Sequence, residues 1–230
     1  MGIHLTKYGR REWASASIVS GSAIIVLAIL SASWPGWLLV AAVVACLWAW
    51  VIWFFRDPDR TCPQGEDLIV SPADGRVTDV TKLGPDSILG CDGVQIGIFM
   101  NIFNVHVNRC PCSGTVEKVE HRSGTFLDVR NPLASQRNEA STVTLRHQAG
   151  GKDFPVAFRQ IAGLVARRIV TDLRPGQAIG RAERIGMVKF GSRLEVMIPD
   201  ELVGEVVVAI GQKVLAGQTV LARILPPRSA

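Results

Sequence analysis

The chain has 230 residues, which allows one soluble domain of moderate size plus an appendage. It is 48% apolar with a mean hydropathy of +0.25, and it carries a formal charge of +5 at a pI near 9.2. That charge suits anionic lipid headgroups. With no run of five basic residues and no basic-aromatic signature, the sequence argues against nucleic acid as a partner.

The apolar excess sits at the front of the chain. Residues 13 to 55 contain no charged side chain and no histidine, and they hold all six tryptophans. The stretch splits at Trp34-Pro35-Gly36-Trp37, a helix-stopping turn signal. Each half, Ala14 to Ala32 and Trp37 to Phe55, is long enough at ~1.5 Å per residue to span ~28 Å of hydrocarbon. Trp34 and Trp37 then mark one interface, and Trp13, Trp50 and Trp53 the other. Lys7, Arg10 and Arg11 precede the first half, while Arg56 and Arg60 follow the second, so both flanks are expected on the cytoplasmic side. The rival readings are a signal peptide cleaved near Ser31-Ala32-Ser33 and, because the first half carries several serines and a glycine, a re-entrant or interfacial hairpin. The five cysteines (Cys46, Cys62, Cys91, Cys110 and Cys112) are odd in number and one lies in the apolar stretch, which favours a reducing compartment. Cys110-Pro-Cys112 has no second Cys or His pair at zinc-like spacing, so no metal site is expected.

These features predict a membrane hairpin over 1–56 and a soluble domain over 57–230. In the soluble part, short apolar or alternating runs are bounded by Gly, Pro and Asp: Leu68 to Val70, Arg76 to Val80, Val94 to Phe99, Thr142 to Leu145, Phe154 to Phe158 and Val206 to Ile210. The pattern predicts a mainly β (α+β) domain, sandwich-like or barrel-like. A helix is expected in Gln160 to Val170, and Phe126 to Asn138 reads as a loop. Pro175 to Gly180 and Ala216 to Leu221 read as two copies of one turn-strand unit, similar with Ser71 to Val77 to pieces of lipoyl- and biotin-carrier domains. Lys189, between Val188 and Phe190, lacks the setting of a carrier lysine. Arg167-Arg168 and Arg181/Arg184 read as solvated strand ends, and His147 as surface.

Gly191-Ser192 lies in the run Val188 to Pro199. The strand after it puts Leu194, Val196 and Ile198 on one face and Arg193, Glu195 and Met197 on the other. Glycine permits a strained backbone there, so that the serine hydroxyl can attack the preceding carbonyl. Exchange of amide for ester, elimination, and hydrolysis of the enamine would leave a pyruvoyl group on the new N-terminus. The same dipeptide is also an ordinary turn.

The chain resembles the phosphatidylserine decarboxylase family in its short, membrane-anchored form. The resemblance runs through Phe54-Phe-Arg-Asp-Pro-Asp-Arg60, Ser71-Pro-Ala-Asp-Gly75, Asn104-Val-His-Val-Asn-Arg-Cys-Pro111, Gln160 to Arg168 and Phe190-Gly-Ser-Arg193. It implies self-cleavage between Gly191 and Ser192 into chains 1–191 and 192–230, which form a heterodimer. It also implies a pyruvoyl cofactor made from Ser192, a Schiff base with phosphatidylserine in the membrane, and release of phosphatidylethanolamine. By motif, Asp74 matches the carboxylate that assists cleavage, and His106 the histidine of decarboxylation. Arg109 stands where longer members carry a second histidine, and a guanidinium cannot act as base. That leaves His106, His121 or Asp74 for the role, with Arg109 and Arg193 as candidate contacts to substrate anions. Phe190 and Arg193 replace the leucine and threonine of the long form. An archaetidylserine decarboxylase and a non-enzymatic, lipoyl-like adaptor at the membrane are the alternatives; a higher homo-oligomer is compatible with any of them. Cleavage predicts two bands on a denaturing gel and a blocked 39-residue C-terminal fragment by mass spectrometry. The adaptor predicts one intact chain with an ordinary Ser192.

Overall fold

The computed structural model describes residues 2–131, 133–164, 168–189 and 191–225. The chain divides into two compact units, 1–59 and 60–230.

In the first unit, β1 (Ile3–Leu5) pairs antiparallel with β2 (Arg56–Pro58) at the open end of a helical hairpin. The helices are α1 (Arg10–Leu30) and α2 (Trp37–Phe54), broken apart at Pro35-Gly36. Glu12 in the first turn of α1 complements the helix dipole, which helps the helix begin before the uncharged stretch. Trp48 donates its indole N–H to Ser17 Oγ at 3.0 Å, linking the two helices. Trp34 and Trp37 meet edge to face at the turn, 5.8 Å apart. At the other end Trp13 donates to Thr6 O, and the Arg56 guanidinium lies 4.2 Å from the Trp53 ring centroid. No residue of α1 and only Phe54 of α2 is buried. Both helices are long and apolar enough to cross a membrane, with mean hydropathies of 2.0 and 2.3.

The second unit is β-rich, as the sequence pattern requires. Its elements are β3 (Leu68–Val70), β4 (Gly75–Leu83), β5 (Gly93–Met100), β6 (Val107–Arg109), β7 (Gly114–Arg122), α3 (Ala134–Arg137), β8 (Ala140–Ala149) and β9 (Lys152–Ala162). There follow β10 (Ile169–Thr171), β11 (Ala178–Ile179), β12 (Arg184–Val188), β13 (Ser192–Pro199), β14 (Val203–Val206), β15 (Lys213–Val214) and β16 (Val220–Ile224). An eight-stranded antiparallel sheet runs in the order β11-β7-β8-β9-β13-β5-β4-β15. Two three-stranded sheets, β10-β12-β6 and β14-β16-β3, complete the unit.

The helix expected over Gln160 to Val170 does not form. Gln160 to Ala162 finish β9, drawn into the sheet by pairing with Ser192 to Leu194 of β13, and Ile169 and Val170 open β10. Residues 165–167 of that stretch lie outside the described residues, as does Phe190. The strand expected over Val206 to Ile210 ends at Val206.

The pairing reads the same from either end of the large sheet. Val116 N–H donates to Gln177 O, and Gly176 N–H to Val116 O; Val77 N–H donates to Gln212 O, and Gly211 N–H to Val77 O. Cys110 bonds Glu183 and Ala182 as Ser71 bonds Thr219 and Gly217. Two further bonds cross between the halves, Val70 N–H to Pro111 O and Arg109 N–H to Pro72 O, both 2.9 Å. The unit is therefore two copies of one seven-strand module, with Val196↔Phe158 at the centre of the β13–β9 pair. The second copy, β6 to β12, is inserted between β5 and β13 of the first. Ser71-Pro-Ala-Asp-Gly-Arg-Val77 corresponds to Cys110-Pro-Cys-Ser-Gly-Thr-Val116, and Gly176 to Ile179 corresponds to Gly211 to Val214. The unit matched to Pro175 to Gly180 on sequence, Ala216 to Leu221, is instead a turn entering β16.

Ala182 (φ 65°) and Gly217 (φ 71°) hold equivalent left-handed positions, and they meet across the interface of the two copies. A Cβ on Gly217 would come within 3.0 Å of Ala182 Cβ and 2.9 Å of Arg109 Cδ, so only one of the pair has room for a side chain. Gly217→Ala is expected to destabilise the domain by ~2 kcal/mol or more, from left-handed strain plus the clash. Adding Ala182→Gly should recover part of that loss, as read by chemical unfolding.

Candidate active site

Ser192 opens β13, the strand by which the chain re-enters the first module. Its backbone lies between Met100 of β5 and Ala162 of β9, and its side chain is fully buried. Ser192 Oγ lies 3.4 Å from Met100 Sδ. Gly191 adopts φ +64°, and a Cβ there would meet nothing within 4 Å, so conformation rather than space calls for glycine. On the other side a Cβ added at Gly163 would run into the carbonyl oxygen of Gly191. Gly163 thus forms the wall against which the Gly191 carbonyl rests.

Asp74 lies just before β4, across β5 from Ser192, because Arg76 pairs with Phe99 while Ser192 pairs with Met100. Its carboxylate makes a two-armed ion pair with Arg60, 2.7 Å on the Oδ2 side, and accepts the Ala216 N–H at 2.8 Å. Both side chains are buried, at 7% and 6% exposure. Removing the cation would strand a buried carboxylate, at a cost of ~3–5 kcal/mol. Arg60 reads in the sequence as a flanking positive charge, and only the fold gives it a partner.

His106 is fully buried in the connection from β5 to β6. Asn101 and Asn104 close the preceding turn on each other, and Asn104 O accepts from His106 Nδ1 at 3.0 Å. A carbonyl can only accept, so the proton sits on Nδ1 and Nε2 is the acid-base nitrogen. Two residues on, Asn108 reaches Met100 Sδ at 3.8 Å and accepts from Gln160 Nε2 at 2.8 Å. Thr171 Oγ1 and Ser141 extend this buried polar chain, which alternation alone does not reveal.

The other polar residues lie elsewhere. Arg109 is buried in β6 and donates to Ala182 O at 3.1 Å. Arg193 donates to Glu195, Thr78 and Asp79 at 2.8–2.9 Å, in space left by Gly97. Glu195, fully buried, also accepts from Ser135 and Arg159. A substrate anion on Arg193 would displace one of these carboxylates. His121 is half-exposed at the end of β7, three strands from β13, with Glu139 its nearest acid at 3.8 Å. His147, expected at the surface, is buried, because β8 turns it inward where Nδ1 lies 2.7 Å from Ser113 O. Arg181 is no free strand end either. It donates to Pro63, Gly65 and Leu68 carbonyls and pins that segment. Arg168 and Arg184 are exposed.

Burial pushes the Cys112 thiol up to about 12 and the Cys110 thiol well above its ordinary range, with Cys112 beside it adding to the shift. Both stay protonated at neutral pH, unlike thiolate ligands. Among the described residues no three His, Cys, Asp or Glu side chains converge as metal ligands.

The sequence profile of the phosphatidylserine decarboxylase family matches residues 47–222. The phosphatidylserine decarboxylase proenzyme of Paramagnetospirillum magneticum is 40% identical over 96% of this chain and 90% of its own. Those of Salinibacter ruber and Pelobacter propionicus are 43% and 44% identical, over 92% and 80% of this chain and 90% and 81% of theirs. The family profile and these relatives together define an enzyme class, a lyase of phospholipid biosynthesis made as a proenzyme. The chain belongs to the phosphatidylserine decarboxylase family.

Gly163→Ala is expected to shift the Gly191 carbonyl by a fraction of an ångström, and a cut between Gly191 and Ser192, as the family resemblance implies, would then slow roughly a hundredfold. A time course of intact chain against fragments measures this. Unchanged processing would show that Gly163 does not position the carbonyl.

Proposed function

We propose that the chain cuts itself between Gly191 and Ser192 and uses the new N-terminus to convert phosphatidylserine to phosphatidylethanolamine. The observation that carries this reading is a left-handed glycine joined to a fully buried serine, at the start of a strand paired on both sides. The sheet holds Ser192 still while the Gly191 peptide lies just beyond its last pair. Attack of Oγ on the Gly191 carbonyl carbon breaks the C–N bond and forms an ester, freeing the serine nitrogen. Loss of the α-proton then expels Gly191 as a carboxylate and leaves dehydroalanine. Its imine tautomer takes up water, releases ammonia and leaves the pyruvoyl ketone.

The chain's own residues divide the remaining work. Asp74 and His106 are the titratable candidates on this side of β13, and His121 is too remote to serve. Asp74, held by Arg60 across β5 from the junction, is the carboxylate that assists cleavage. His106 exchanges the proton at the substrate Cα through Nε2, its ring held by Asn104. Arg109 and Arg193 remain candidate anion contacts that would have to exchange their present partners. The chemistry supplied by the pyruvoyl group is an electron sink for the carbanion left as CO₂ departs.

Cleavage at this point leaves the small chain deeply held. β13 keeps β5 and β9 on its two sides, β16 keeps β3, and β15 keeps β4, all from the large chain. The two chains are therefore expected to stay together as a heterodimer. The apolar hairpin tethers the enzyme to the cell membrane, with basic flanks placing the catalytic unit on the cytoplasmic side.

Ser192→Ala should abolish both processing and CO₂ release from a serine phospholipid, a loss of at least ~10⁴-fold for removal of a nucleophile. Retained activity in that variant would sink the mechanism.

A further inference from the structure

Three turns converge on the Ser192 end of the sheet, and each carries an exposed apolar side chain. Asn101 to Asn104 follows Met100, the strand partner of Ser192, and presents Ile102 at 38% and Phe103 at 62% exposure. Leu164, 64% exposed, comes directly after Gly163, the wall of the Gly191 carbonyl. Leu215, 48% exposed, precedes Ala216, whose N–H is bonded to Asp74. Segment 101–116 contains no acidic residue, Arg168 is exposed, and Asp128, next to the Val129 that abuts Gly163, is paired with the exposed Arg130.

The fold does not demand this. The equivalent turns of the other module lie at the opposite end of the large sheet. There Gln148-Ala-Gly-Gly151 replaces Asn101-Ile-Phe-Asn104, Gly180 replaces Leu215, and Leu202, the counterpart of Leu164, is buried. The Ser192 end of the sheet is thus tipped with exposed apolar side chains whose counterparts in the other module are small, polar or buried.

We propose that the Ser192 end docks directly on an anionic phospholipid bilayer, with Ile102, Phe103 and Leu164 dipping below the headgroups. The apolar tips match the acyl boundary, and the exposed Arg168 and Arg130 match the phosphates, with Asp128 beside them already paired to Arg130. Such docking delivers a serine headgroup to Ser192 without lifting the lipid out of its leaflet. The proposal rests on the decarboxylase reading and adds a second membrane contact, separate in sequence from the hairpin.

The test compares full-length wild type with Ile102→Ser/Phe103→Ser/Leu164→Ser on two substrates. One is long-chain phosphatidylserine in phosphatidylglycerol-phosphatidylcholine vesicles; the other is a short-chain phosphatidylserine below its micellar concentration. Docking predicts a fall of roughly tenfold or more on vesicles and less than about twofold on the monomeric lipid, with self-cleavage intact. If the triple variant fails to process, Leu164→Ser alone reads the same ratio. An active wild type whose vesicle-to-monomer ratio is unchanged by the substitutions overturns the docking alone. A wild type inert toward both substrates overturns the decarboxylase reading and the docking with it.

Discussion

The structure depends on one strand being paired along both edges. β13 exchanges backbone hydrogen bonds with β5 along its whole length and with β9 along most of it, and all eight of its residues are buried. Leu194, Val196 and Ile198 enter the main core on one face. Glu195 gathers Arg193, Arg159 and Ser135 on the other, where a buried carboxylate without partners would be untenable. A strand fixed this firmly makes its first residue a rigid point, and that residue is Ser192.

Insertion of one module into the other explains why the rigid point is also a junction. The chain leaves the first copy after β5, builds the second copy entire, and returns at Gly191-Ser192. Strands that follow the junction are bonded chiefly to strands that precede it, so the covalent link there adds little to the fold. A break in the proposed proenzyme therefore need not loosen the product. The break is local and the sheet is not.

The two copies have also diverged in informative ways. Where the first has Asp74, held by Arg60 and Ala216, the second has Ser113, whose carbonyl engages His147. Where the first turns through Ile102 and Phe103, the second turns through glycine. A shared scaffold with unequal ends gives the molecule a polarity that pairing alone would not create.

Much of this was legible in the chain itself. The uncharged stretch from 13 to 55, interrupted by Pro35-Gly36, determines a pair of helices, because each apolar run is long enough for a helix and Pro-Gly stops it between them. Period-two runs from Leu68 onward determine a β-rich domain, and Gly191-Ser192 among Asp74, His106 and their motifs determines the family. What only the tertiary structure decided is where remote groups meet. Gln160 to Ala162 are strand because β13 lies beside them. His147 is buried because its register turns it inward. Arg60 is the partner of Asp74 because the fold closes one on the other, and Gly163 backs the Gly191 carbonyl because β9 and β13 end together. The repeat joining Ser71–Val77 to Cys110–Val116 was present in the letters, yet four of its seven positions had changed. Local sequence sets periodicity and turn chemistry over a few residues, whereas pairing across tens of residues is chosen by burial and backbone hydrogen bonding in the assembled sheet.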